Sequence, residues 1–218
     1  MKIVLFGATG HIGQGILNEA LQCGHAVTAV VRDAARLSVN NPKLDVVVGD
    51  VSKPATYVAA PQGADAAIAS ISARRDGDFT SVAKSAGILL GALPKAGVKR
   101  LAWVGGAGTL QVAPGVRVID DPHFPAAWKP EAEAQGEALD VFRASKADID
   151  WIYISPAAMI EDGARSGNYR IAASNCWSMR TARAASRLRT TPSPCSTASR
   201  RTTSRASALL WPIDWRRS

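Results

Sequence analysis

Lys2-Ile-Val-Leu-Phe-Gly-Ala-Thr-Gly-His-Ile-Gly13 joins a short apolar run to a helical pattern through three glycines spaced three apart. The spacing gives each glycine a separate task. Gly7 makes the tight turn off the strand, Gly10 lets backbone approach a pyrophosphate, and Gly13 lets the following helix pack closely on the sheet. N–H groups at the start of that helix face the phosphates, where the helix dipole favours negative charge. Thr9, His11 and Ile12 share the turn, with His11 positioning backbone rather than moving protons. A strand before the glycines and a helix after them set the pattern apart from a plain tight turn, and the implied ligand is a dinucleotide.

Outward from the turn, strands are expected near 2–6, 26–31, 45–48, 65–70, 100–104 and 150–154. Helices are expected near 12–23, 79–96 and 131–146, with a less periodic one near 54–60. This alternation predicts a Rossmann-type, doubly wound parallel α/β sheet in a single domain over residues 1–171. Near-continuous apolar strands such as Ala26–Val31 suit a sheet covered on both faces.

In such sheets ligands bind at the carboxyl ends of the strands, so the strand ends nominate the site. The second strand ends at Arg32, whose guanidinium can pair bidentately with the 2′-phosphate of NADP. Asp33 follows and could serve a ribose instead, so both NADPH, the preferred reading, and NADH stay open. After the third strand, Asp50 and Val51 are candidates for the adenine, with a structural turn aspartate as the alternative. Ser70 ends the fourth strand beside the expected ribose. Gly105 opens a small-residue run, Gly105-Gly-Ala-Gly108, that permits close approach to a nicotinamide or simply makes a turn. His25 reads as structural, and Arg74, Arg75 and Asp76 as a solvated rim.

The whole chain carries a net charge of +8, but the excess is confined to its last part. Residues 172–218 hold nine arginines, no lysine and one aspartate, whereas residues 1–171 are balanced at 17 basic and 17 acidic. The composition there turns to Arg, Ser, Thr and Ala without a period of 2 or 3.6, so an irregular basic tail is expected. Two readings follow. A native tail of this kind would touch nucleic acid. Alternatively, the tail is translated out of frame. Restoring one G after the Ile171 codon lets the tail be re-read as a strand, a turn, a Ser-x-x-Asp helix start and an amphipathic helix. On that reading nucleic acid is not a partner. Three cysteines at unrelated spacings suggest neither a metal framework nor a disulfide pattern, so no metal is expected. No apolar stretch reaches the roughly 20 residues of a membrane span, and a cytoplasmic location without membrane association is expected.

These residues resemble the atypical short-chain dehydrogenase/reductase superfamily, and within it the small NAD(P)H-binding proteins of the NADH-flavin reductase type. Gly7-Ala-Thr-Gly-His-Ile-Gly13 resembles their cofactor signature, and Val104–Gly108 their fifth-strand turn. Asp121-Pro-His-Phe-Pro125 with Trp128-Lys-Pro-Glu131 resembles their substrate-side loop and helix start. Trp151-Ile-Tyr-Ile-Ser-Pro-Ala157 and Glu161–Arg170 resemble their sixth strand and the turn after it. The resemblance covers residues 1–171, and relatives continue with the strand and helix that the restored frame recovers.

Typical members of the superfamily carry Tyr-x-x-x-Lys, whose lysine lowers the tyrosine pKa for proton transfer. Tyr57, Tyr153 and Tyr169 are the only tyrosines here, and none is followed by lysine at the fourth position. Hydride transfer to a flavin makes less demand on the protein, because the flavin is itself the electrophile. The resemblance therefore implies hydride transfer from NADPH to FMN, FAD or a similar small acceptor. The catalytic residue stays unknown; His123, Lys129 and Ser155 are the candidates on the substrate side. The alternative is a non-catalytic NAD(P)H-binding redox sensor acting through a partner protein. A monomer or a homodimer is expected.

Overall fold

A computed structural model describes residues 1–157, 160–162 and 186–188. Its elements are β1 (Lys2–Phe6), α1 (His11–Gln22), β2 (Ala26–Val31), β3 (Leu44–Val48), β4 (Ala66–Ala69), α2 (Thr80–Ala92) and β5 (Arg100–Val104). They continue as β6 (Gln111–Ala113), β7 (Val116–Arg117), α3 (Lys129–Ala144), β8 (Asp150–Ile154), β9 (Ile160–Asp162) and β10 (Ser186–Leu188). Six strands form one parallel sheet in the order β3-β2-β1-β4-β5-β8. This is the doubly wound Rossmann arrangement expected from the alternation of strands and helices. The direction of winding reverses between β1 and β4, which opens a crevice at their carboxyl ends.

Successive side chains of a strand point to opposite faces, and the two halves of the core follow from that. Ile3 and Leu5 of β1 face α1, where they meet Ile16, Leu17, Ala20 and Leu21. Val4 and Phe6 face the other way, toward α2 and α3, with Val82, Leu89 and Phe142. Trp103 of β5 is fully buried on this second face and packs edge-on to Phe142 at 5.4 Å between ring centres. Phe6 meets Tyr57 in the same manner at 5.2 Å. Each fully buried large apolar side chain contributes roughly 1.5–3 kcal/mol.

Three expectations need correction. The sheet is not covered on both faces at its edge: Val46 and Val48 of β3 are exposed, and of the residues on that face of β3 Leu44 packs against the α1 side of the core. The helix expected near 54–60 is a single 3₁₀ turn, Pro54–Thr56. Tyr57 then turns inward and is buried against Phe6, which ties the chain down before a second turn of helix can form. The helix expected over 79–96 ends at Ala92 and continues as a 3₁₀ turn, Pro94–Ala96, since Pro94 has no N–H to give to the helix ladder. Apart from β10, which pairs in parallel with β9, residues 172–218 lie outside the described residues, and so does the expected boundary after Ile171. No described helix is long and apolar enough to cross a membrane.

Candidate functional site

The glycine turn sits at the tip of β1, between the tips of β2 and β4. Gly7 has φ +83°, and a Cβ there would lie 2.0 Å from the Ser70 carbonyl oxygen at the end of β4. Both facts exclude any other residue. The Gly10 N–H closes the turn onto the Gly7 carbonyl at 3.0 Å, and Gly10 then caps α1. Gly13 lies against the turn itself, where a Cβ would approach the same Gly7 oxygen to 2.0 Å. Gly10 differs: a Cβ there would meet only that oxygen, at an ordinary 3.4 Å, so the fold does not need glycine at this position. No side chain caps the N-terminus of α1, and its first turn carries no acid. The helix itself thus supplies no negative charge at the positive end of its dipole, and the chemistry there suits a phosphate.

Arg32 and Asp33 stand at the end of β2, both exposed. Asp33 accepts a hydrogen bond from the Ala35 N–H at 3.0 Å and caps the following 3₁₀ turn. Arg32 reaches across the tip of β1 and forms an ion pair with Asp76, in the loop after β4. Arg74, Arg75 and Asp76 are exposed, as a solvated rim would be, and Asp76 is in addition the partner of a site residue. Asp50, beyond β3, accepts hydrogen bonds from both the N–H and the hydroxyl of Ser52 at 2.8 Å. Partial burial pushes its carboxyl up, but the Ser52 bonds and the nearby Arg32 and Lys53 charges outweigh this and hold it below the usual carboxylate range. The Val51 carbonyl accepts from the Tyr57 hydroxyl at 3.2 Å.

On the other side of the crevice, Ser70 continues β4 by donating its N–H to the Phe6 carbonyl at 2.9 Å. A buried polar network then ties the loop after β4 to α3. Gln135 donates to the Ile71 carbonyl at 2.9 Å and to Glu131 at 3.1 Å, and accepts from the Trp103 indole at 3.1 Å. Glu131 also accepts from the Ala73 N–H at 3.2 Å. The Tyr153 hydroxyl donates to the Gln135 carbonyl at 2.8 Å and accepts from the Gly106 N–H at 3.2 Å. Burial pushes that hydroxyl up to about 12. A Cβ on Gly105 would fall 1.9 Å from the Tyr153 ring, so the packing of Tyr153 alone already requires glycine at this position. The sequence reading passed over Gln135 and the role of Glu131. Their signal was present: Glu131, Gln135, Ala138 and Phe142 form one helical stripe, and its first two positions are polar.

The remaining candidates have the following surroundings. His11 is exposed at the start of α1. The His123 side chain is 95% exposed and sits 3.2 Å from Asp121. Lys129 is exposed at the first position of α3. Ser155 is buried after β8, with its hydroxyl 3.3 Å from that of Thr109, which donates to the Gly106 carbonyl at 3.0 Å. His25 lies 3.4 Å from the chain's amino terminus, in keeping with a structural role. Among the described residues no cluster could hold a metal ion.

Residues 7–185 match a family model described as NAD(P)H-binding. The Bacillus subtilis protein YwnB is 35% identical over 173 residues, 78% of each chain. A Bacteroides thetaiotaomicron structure, provisionally assigned as an epimerase, superposes with a TM-score of 0.72 at 39% identity over 80% of this chain and 79% of its own. A Streptococcus pneumoniae structure, provisionally assigned as an NADH-flavin reductase, gives 0.70 at 31% identity over 80% of this chain and 81% of its own.

Proposed function

Because the chain belongs to the NAD(P)H-binding family, we propose that it is an NAD(P)H-dependent oxidoreductase that reduces a flavin or similar small acceptor, with NADPH preferred. Gly7, Thr9, Gly10, His11, Ile12 and Gly13 hold the pyrophosphate at the N-terminus of α1, whose own first turn carries no acid. Arg32 takes the 2′-phosphate, Asp50 and Val51 border the adenine, and Ser70 and Gly105 flank the nicotinamide ribose and ring. When bound, the nicotinamide supplies a hydride. The chain's own part is to orient the two ring systems and keep water out.

The observation that carries this reading is the state of Tyr57 and Tyr153. Both hydroxyls donate to backbone carbonyls, of Val51 and Gln135, and burial raises both pKa values. Of the described tyrosines, neither is set up to exchange a proton with an alcohol or a sugar, as epimerase or alcohol dehydrogenase chemistry of this superfamily demands; Tyr169 lies outside the described residues. A flavin needs no such group, because it accepts the hydride directly.

The test is a fluorescence titration of the full chain with NADPH and with NADH, followed by FMN in the same cuvette. Saturable NADPH binding, then catalytic loss of its signal on adding FMN, is expected. Binding without turnover on FMN or FAD would favour the non-catalytic sensor reading. Absence of binding by either dinucleotide would overturn both.

A further inference from the structure

We propose that Asp76 sets the selectivity of the adenosine end, by holding the Arg32 guanidinium in place of a 2′-phosphate until a 2′-phosphorylated nucleotide displaces it. This rests on the reading of Arg32 given above and adds to it a residue that acts through Arg32. Arg32 is the first residue beyond β2, Asp76 lies beyond β4, and β1 with its glycine turn runs between them. The Arg32–Asp76 ion pair therefore bridges the crevice.

Asp76 is presented there by a built turn. Its N–H and that of Gly77 both donate to the Ala73 carbonyl, at 3.1 and 2.8 Å, and the Ala73 N–H is itself held by the buried Glu131 carboxylate of α3. The turn is anchored in the core, while the pair it carries stays open to solvent, with side chains 58% and 41% exposed. An ion pair so exposed is weak and can be broken by a better anion. A phosphomonoester is such an anion, with a charge near −2 and three acceptor oxygens against one carboxylate. A ribose with a free 2′-hydroxyl offers no charge to compete, so NADH leaves the pair intact. Asp50, beyond β3, also interacts electrostatically with Arg32 and is itself beside Lys53, and Arg74 and Arg75 directly precede Asp76 in its own loop.

The experiment is a binding titration of the full chain with NADPH, NADH, adenosine 2′,5′-bisphosphate and AMP, using the unmodified protein, Asp76→Asn, Asp76→Ala, Arg32→Ala and the double variant Arg32→Ala/Asp76→Ala. Replacing Asp76 is expected to tighten NADPH and the bisphosphate by about two- to fivefold, and to leave NADH and AMP unchanged. On the Arg32→Ala background the gain is expected to vanish. Unchanged or weaker NADPH binding in both Asp76 variants would overturn the proposal, as would equal tightening of all four ligands or a gain that survives loss of Arg32. If the unmodified chain binds NADPH and only the Asp76 effect is missing, the proposed function stands without this addition. If the unmodified chain binds neither dinucleotide, both fall.

Discussion

The Gly7 carbonyl oxygen occupies the position that a side chain on Gly13 would need: a Cβ there would lie 2.0 Å from it. The first turn of α1 and the turn after β1 are thus in backbone contact, and the helix end is held at a fixed place over the crevice. Gly13→Ala must push backbone apart, and is expected to cost about 1–3 kcal/mol of stability as an overpacked site does. Gly10→Ala meets only an ordinary contact and is expected to cost less than about 1 kcal/mol. If Gly10 faces a pyrophosphate, however, Gly10→Ala is expected to weaken NADPH at least about tenfold, which corresponds to 1.4 kcal/mol. Thermal melts and NADPH titrations of the two variants check the split. Full NADPH affinity in Gly10→Ala would remove the pyrophosphate from this turn.

Gln135 joins three elements through its amide: the loop after β4, the Trp103 indole of β5 and Glu131 of its own helix. Gln135→Leu keeps most of the volume and leaves the Trp103 N–H and the Ile71 carbonyl without these bonds. Each buried polar group left unpaired costs about 1–3 kcal/mol. A loss of that order in urea unfolding, with a shift in tryptophan fluorescence, is expected. A variant as stable as the parent would show that water replaces the amide.

Tyr153 makes stability fall at alkaline pH. Its folded pKa, about 12, stands above the ordinary value of 10.0 because burial disfavours the phenolate. The folded state therefore keeps its proton after the unfolded state has lost it. The associated stability is fully present below pH 10 and drains away as the pH rises toward 12. Tyr153→Phe removes this dependence, and the expected readout is a shallower decline of unfolding free energy between pH 10 and 12. Tyr57 is raised in the same direction, by burial and by the nearby Asp50, and contributes to what persists. At neutral pH the variant is expected to lose about 1–3 kcal/mol, because the Gly106 N–H and the Gln135 carbonyl lose a partner.

The basic stretch after Ile171 has a test outside the protein. Sequencing the source DNA is expected to reveal a frame that, with one G restored after the Ile171 codon, encodes the strand and helix described above. An open frame through Ser218 in several isolates would instead make the arginines of that stretch native. Salt-dependent oligonucleotide binding, lost on removing residues 172–218, would then be the expected property.

Local chemistry determined the parts of this protein that lie within one segment. The tasks of Gly7 and Gly13 were legible because a turn and a helix start are short-range structures, and glycine is the residue whose absence of a Cβ they require. The six sheet strands were legible because apolar runs bounded by turn residues are a local pattern, and the alternation with helices implied their parallel order. Tertiary structure alone decided what faces what. It brought Asp76 to Arg32 across 44 positions of chain and Glu131 to Ala73 across 58, and it filled the space beside Gly105 with the Tyr153 ring. It also left Val46 and Val48 uncovered on an edge strand that reads as apolar as its neighbours. The physical reason is the same in each case. A side chain's partner depends on which strand tips and helix ends the fold places side by side, and strand order carries that information while residue spacing does not.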